Sequence, residues 1–186
     1  KPVPFEEKID LGMTREYMAT DNRFAARRTD VLVYQTDVLE QDLSLAGPLR
    51  AELFVSTSGT DSDWVVKLID VYPDEDSYNP ETAGTQMGVA FEIFRGRYVK
   101  DFAKPQALKP GKAENYKFGL PNVDHVFRKG HRIMVQVQST LFPLYDRNPQ
   151  TFVPNIFWAK PEDYKKAVQR IYHAPGQTSF IELPLV

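Results

Sequence analysis

Gly59-Thr60-Asp61-Ser62-Asp63-Trp64-Val65-Val66-Lys67-Leu68-Ile69-Asp70-Val71-Tyr72 decides the fold. Its first five residues are turn formers, whose hydroxyl and carboxylate side chains bond to nearby backbone in place of a ladder partner. The run from Trp64 to Tyr72 is then almost continuously apolar. At that length it reads as a strand buried on both faces, the centre of a layered sheet protein.

The flanking sequence repeats the β pattern. Upstream, Leu49–Thr57 alternates, with Ala51, Leu53 and Val55 on one face and Arg50 and Glu52 on the other. Val31–Gln35 is a further short run. Downstream come Met87–Val99, Tyr116–Leu120, Arg132–Ser139 with Ile133, Val135 and Val137 facing inward, and Thr178–Leu183. Gly, Pro, Asp and Asn separate them, as between the strands of a sandwich. One segment has a helical period: in Pro161–Ile171, Tyr164, Ala167, Val168 and Ile171 share a face, and Pro161 suits a first turn. The expected fold is therefore all-β, a jelly-roll β-sandwich with one short helix near the C-terminus. Residues 31–186 form the sandwich; residues 1–30 form a lead-in packed on it or on a neighbouring domain, with room for one helical turn.

Composition narrows the function. A chain of 186 residues fits one domain and buries roughly 70% of its surface on folding, so it needs no staple. It has no cysteine, which removes disulfides and thiolate chemistry. Net charge is −2 with lysines and arginines scattered among acids, which argues against a nucleic-acid footprint; Arg23, Arg27 and Arg28 read as a solvated or interface face. No stretch approaches ~18 apolar residues, so no segment reads as a membrane-spanning helix. The opening Lys1-Pro2-Val3-Pro4-Phe5 reads as the interior of a longer chain.

The search for chemistry returns little. The Gly-x-Ser-x-Gly turn that exposes a hydrolase nucleophile is absent. His125, His131 and His173 are the only histidines, with Ser139 and Ser179 the serines considered beside them. His131 lies in a Gly-His-Arg turn, an ordinary structural setting. Histidine spacing does not suit zinc, and no cofactor is expected. Thr60–Asp63 and Asp74-Glu75-Asp76 offer oxygen ligands for calcium but lack an EF-hand's spacing, and read as turn acids. Tyr78, Phe94, Tyr98, Phe142 and Tyr145 could make a sugar platform, the alternative of a stand-alone carbohydrate-binding module. Leu141–Gln150 sets large apolar side chains beside Asp146, Arg147 and Asn148. It reads as an internally bonded loop or as a docking loop carried by Phe142, Tyr145, Asp146, Arg147 and Asn148.

Three separated stretches carry a family likeness: Thr57–Asp74, Gly130–Asn148 and Ile171–Pro184. Together they resemble the C-terminal, non-catalytic domain of the Xaa-Pro dipeptidyl-peptidase and cocaine-esterase family. Asn148–Phe152, Ala159–Tyr164 and Tyr17–Arg28 are similar to the branch of glutaryl-7-aminocephalosporanic-acid acylases and α-amino-acid ester hydrolases. The resemblance implies a galactose-binding-like jelly roll. It implies as partners an α/β-hydrolase domain with a Ser–Asp–His triad and a helical cap, both outside this chain, and leaves room for a homo-oligomer. It also implies a periplasmic or secreted setting, and a lead-in whose Met13, Tyr17 and Met18 help wall an acyl pocket. No catalytic residue is carried over, and the fragment alone is expected not to catalyse.

Overall fold

A computed structural model describes residues 21–77 and 79–186. Its described elements are helix α1 (Arg23–Ala26) and strands β1 (Val31–Gln35), β2 (Leu43–Thr57), β3 (Asp63–Val71), β4 (Gln86–Arg95), β5 (Glu114–Phe127), β6 (Arg132–Gln138), β7 (Gln169–Ile171), β8 (His173–Ala174), β9 (Gln177–Thr178) and β10 (Phe180–Glu182). One sheet runs β1-β6-β3-β4, and the other β10-β2-β5 with β7 also on β2; β8 and β9 form a small hairpin. All pairings are antiparallel. The two sheets face each other as a jelly-roll sandwich, the all-β architecture the sequence predicts.

The decisive strand sits where its composition requires. β3 lies between β6 and β4, and its residues are buried from Asp63 through Asp70. Trp64, Val66 and Leu68 face the other sheet and meet Leu45, Leu49, Ala51, Leu53 and Val55 of β2 and Phe127 of β5. This inner face is the core, and each large side chain fully buried there contributes about 1.5–3 kcal/mol.

The opposite face of β3 is also covered, which explains the missing alternation. Val65 packs with Leu141 and Tyr145 of the loop after β6. Lys67 is buried beneath the lead-in: its Nζ donates to Asn22 Oδ1 at 2.9 Å and lies 5.7 Å from the Phe24 ring centre. Burial, then the Arg28 charge, lowers the Lys67 pKa to about 8. Asn22 is also tied to β4, its N–H donating to the Gln86 carbonyl at 2.8 Å. Asp21 and Asp30 hold Arg23 and Arg28 in ion pairs.

Two expectations change. β2 and β5 are longer than read, because Pro48 and Pro121 both fall where their ladder shifts register, between the Gly47–Val123 and Leu49–Leu120 pairs. Proline breaks a ladder only if its missing N–H would have bonded there. The helix expected over Pro161–Ile171 near the C-terminus is not formed. Pro161–Asp163 makes a single 3₁₀ turn, and the chain then runs extended into β7. A segment this short cannot support a helix alone. Its backbone finds partners elsewhere: Lys165 N–H on the Pro149 carbonyl at 2.9 Å, Ser58 N–H on the Val168 carbonyl at 2.9 Å, and Val168 N–H on Ser58 Oγ at 2.8 Å. The short α-helix among the described residues is α1, in the lead-in.

Candidate functional site

Register places the loops 58–62, 96–113 and 139–168 at one end of the sandwich, since Asp63 pairs with Arg95, Val65 with Gln138, Val55 with Glu114 and Thr57 with Gln169. The longest of them, 139–168, contains the loop singled out from sequence. Two buried carboxylates, Asp61 in the turn before β3 and Asp63 at its first position, hold this end together.

Asp61 is fully buried. Its Oδ2 accepts from Arg97 Nε at 2.8 Å and Nη2 at 2.5 Å, while its Oδ1 accepts from the Ser62 N–H at 2.9 Å. The same guanidinium donates to the Val153 carbonyl at 3.0 Å and lies 4.9 Å from the Phe152 ring centre. Arg97 therefore ties the turn before β3 to the far part of the long loop. Such a buried pair is well compensated only when its remaining donors and acceptors are bonded too.

Asp63, also buried, accepts from Asn148 Nδ2 at 2.9 Å on Oδ1. Arg95 Nη1 stands 3.8 Å from its other oxygen, and Arg95 Nη2 lies 3.4 Å from Asp146 Oδ2. Burial outweighs these contacts and pushes the Asp63 pKa up from 3.8 to about 6; Arg95 opposes the shift. The folded state therefore favours protonated Asp63, so this group's penalty on stability is full above pH 6. It shrinks as pH falls through 6 and is gone below about 3.8. We expect the Asp63 contribution to unfolding stability to rise by about 1 kcal/mol between pH 7 and pH 5. Urea unfolding at both pH values should show that gain lost in Asp63→Asn; an equal pH response in both proteins contradicts it.

The residues of the predicted docking loop divide in two. Asn148 faces inward to Asp63, and its Oδ1 accepts from the Gln150 N–H at 2.8 Å. Tyr145 packs, with Phe91 and Ile93, against the cluster of Val65 and Leu141. Asp146 meets Arg95, as above. Arg147 lies between the rings of Phe142 and Tyr164, its Cζ 5.6 Å and 5.4 Å from their centres. Phe142, preceding a cis proline, and Leu144 are exposed, as is Tyr164. Met13, Tyr17 and Met18, the expected pocket wall, lie outside the described residues.

Sequence reasoning passed over the neighbouring turn. Asn155 caps the 3₁₀ turn Ile156–Trp158, its Oδ1 accepting from the Phe157 N–H at 3.0 Å. Ile156 is buried, whereas Phe157 and Trp158 are 72% and 81% exposed. The signal was an adjacent aromatic pair, Phe-Trp, after an Asn in cap position.

Histidines sit in structural settings. At the other end of the sandwich, Asp70 of β3 joins both sheets: its Oδ2 lies 3.0 Å from His125 Nε2 on β5 and its Oδ1 2.8 Å from His131 Nδ1. His131 also packs on Tyr72, ring centres 4.5 Å apart. His173 Nε2 meets the Tyr34 hydroxyl at 3.0 Å, linking the β8–β9 hairpin to β1. Ser179 Oγ donates to the Tyr172 carbonyl at 2.9 Å and accepts from the Phe54 N–H at 3.0 Å. Among the described residues no hydrogen bond joins a serine to a histidine, and no three or more acidic or histidine side chains converge as a metal site. Of the sugar-platform candidates, Phe94 stacks on Phe118 in the core, its ring centre 5.1 Å away, and Tyr78 lies outside the described residues.

Fold and site together define a sandwich domain whose polar ends are internally bonded. The model of the X-Pro dipeptidyl-peptidase C-terminal non-catalytic domain matches residues 7–182, and the chain belongs to that family. It is 37% identical to cocaine esterase of Rhodococcus sp. (strain MB1 Bresler) over 185 residues, covering 100% of this chain and 30% of the esterase. Among solved structures, a selenomethionine-labelled α-amino acid ester hydrolase is 54% identical with a TM-score of 0.88, covering 91% of this chain and 28% of that one. An aminopeptidase from the marine sediment archaeon Thaumarchaeota archaeon is 50% identical with a TM-score of 0.91, covering 100% and 32%. The chain thus spans less than a third of these relatives' lengths.

Proposed function

We propose that this chain is the C-terminal sandwich of a longer serine hydrolase that cleaves an ester or amide through an acyl-enzyme. Residues 31–186 are the sandwich and 1–30 a lead-in. Their work is to cover and stabilise an α/β-hydrolase domain and its helical cap, with Met13, Tyr17 and Met18 placed against the acyl pocket. The single observation carrying this reading is the family match over residues 7–182, which names the domain non-catalytic. The esterase, ester hydrolase and aminopeptidase among its relatives all bear names of enzymes acting at an acyl carbon. Among the described residues, the bonding of the three histidines to Asp70 and Tyr34 agrees with it.

The purified chain is expected to give no turnover of p-nitrophenyl esters above buffer. Turnover abolished by Ser139→Ala or Ser179→Ala would overturn the non-catalytic role. Docking through loop 141–150 predicts that Asp146→Ala or Arg147→Ala lowers the melting temperature of the full-length hydrolase more than that of this chain. Equal losses in the two proteins would count against docking.

A further inference from the structure

Among the described residues, large apolar side chains are exposed on and around β1, on β10 and at Leu185 and Val186, and a further group stands at one end of the sandwich. Phe102, Phe142, Leu144, Phe157, Trp158 and Tyr164 all stand on the loops of one end, the end built on Asp61 and Asp63. Phe157 and Trp158 are the adjacent pair in this group, and Phe102 is about as exposed as Trp158. Two adjacent large rings at 72% and 81% exposure are not a by-product of a loose loop. Their turn is fixed by the Asn155 side chain on the Phe157 N–H, by Trp158 N–H on the Asn155 carbonyl at 3.2 Å and by Ala159 N–H on the Ile156 carbonyl at 3.2 Å. Ile156 anchors it inward. Arg97 grips Val153 on one side, and on the other Lys160 N–H donates to Asp163 Oδ2 at 2.8 Å.

A rigid aromatic pair on a braced turn loses little conformational freedom on docking, the property that favours binding anchors. Each ring can bury about 150–250 Å², so the two supply a substantial part of the ~800 Å² per side of a standard interface. The occupant follows from the comparisons. The family domain is C-terminal in its parent, and about two thirds or more of each relative's polypeptide lies outside the matched region. A partner joined through the same chain is present at high effective concentration and always in the same stoichiometry.

Resting on the proposed function, we infer that Phe157 and Trp158 anchor this domain to the catalytic part of the same polypeptide. The braced turn carries the contact, and loop 141–147 flanks it.

Hydroxyl-radical footprinting of the full-length hydrolase, read by mass spectrometry, tests this. Rates are normalised to those of the same residues in unfolded peptides, with buried Trp64 as the internal standard of protection. Anchoring rings sealed from water should be oxidised at least about tenfold more slowly than in peptide. Peptide-like oxidation of Phe157 and Trp158 alongside protected Phe142 and Leu144 overturns the anchor assignment and leaves docking standing. Peptide-like oxidation of all four overturns both. Protection that disappears on dilution, in step with dissociation of an oligomer in sedimentation, assigns the surface to a second copy and likewise overturns the inference.

Discussion

Arg97→Met is expected to cost this domain about 3–5 kcal/mol, because it strands a buried carboxylate. The methionine keeps an unbranched apolar stem but loses the guanidinium that lies over the Phe152 ring. It removes every partner of Asp61 Oδ2, a fully buried carboxylate, and the donor to the Val153 carbonyl. A charge stranded in the interior costs far more than the pair is worth, so Asp61→Leu combined with Arg97→Met should recover a large part of the loss. Urea unfolding of the two single variants and the double variant measures this. A double variant as unstable as the additive sum shows that the pair acts through shape alone.

Gly59→Ala should cost about 2–4 kcal/mol, although alanine usually stabilises a chain by restricting its unfolded state. A β-carbon at Gly59 would collide with the backbone carbonyl oxygen of Gln150. That oxygen accepts the Thr60 N–H at 3.1 Å, and Thr60 Oγ1 accepts the Phe152 N–H at 2.8 Å. Separating the two loops to admit a methyl group breaks this lacing. Gln150, at φ 63° in the left-handed region, has little freedom to yield. Gly111 supplies the control: it has φ of +73° but nothing within 4 Å of a β-carbon, so Gly111→Ala should cost only about 1 kcal/mol. Thermal melts giving equal losses at the two positions would show that the Gln150 loop yields to the added methyl group and that no collision governs Gly59.

The sandwich was legible where one strand declares itself. Trp64–Tyr72 has too many apolar residues for a half-buried strand, and both faces are indeed covered, one by the other sheet and one by the lead-in and loop 141–145. Legibility failed at prolines and at coincidental spacing. Pro48 and Pro121 look like strand ends in isolation, but they lie together at one irregularity of the β2–β5 ladder. The spacing of Tyr164, Ala167, Val168 and Ile171 looks helical, yet Tyr164 and Val168 are exposed and the backbone bonds to Pro149 and Ser58 instead. Local pattern carries no information about a neighbour that remote in sequence.

The loop end was half legible for the same reason. Its apolar character is local and could be read around Phe142. The ties of Asp61 to Arg97 and of Asp63 to Asn148 join distant positions, so Asn148 faces inward as part of the bracing. The Phe157-Trp158 pair carried a usable local signal, the Asn cap before two aromatics, that periodicity methods do not weigh.

The placement of β2 bears on how this polypeptide is made. β2 is flanked by β5 on one side and by β7 and β10 on the other, and Glu52 pairs with Phe180. During synthesis its second flank therefore stays bare until Gln169–Ile171 and Phe180–Glu182, more than a hundred residues downstream, have emerged. Distant closures of this kind are slow, and an unshielded strand is a template for association with other nascent chains. A polypeptide cut short before Phe180 would leave Arg50–Glu52 of β2 without a partner on that flank, so β10 acts as a clasp on the sheet.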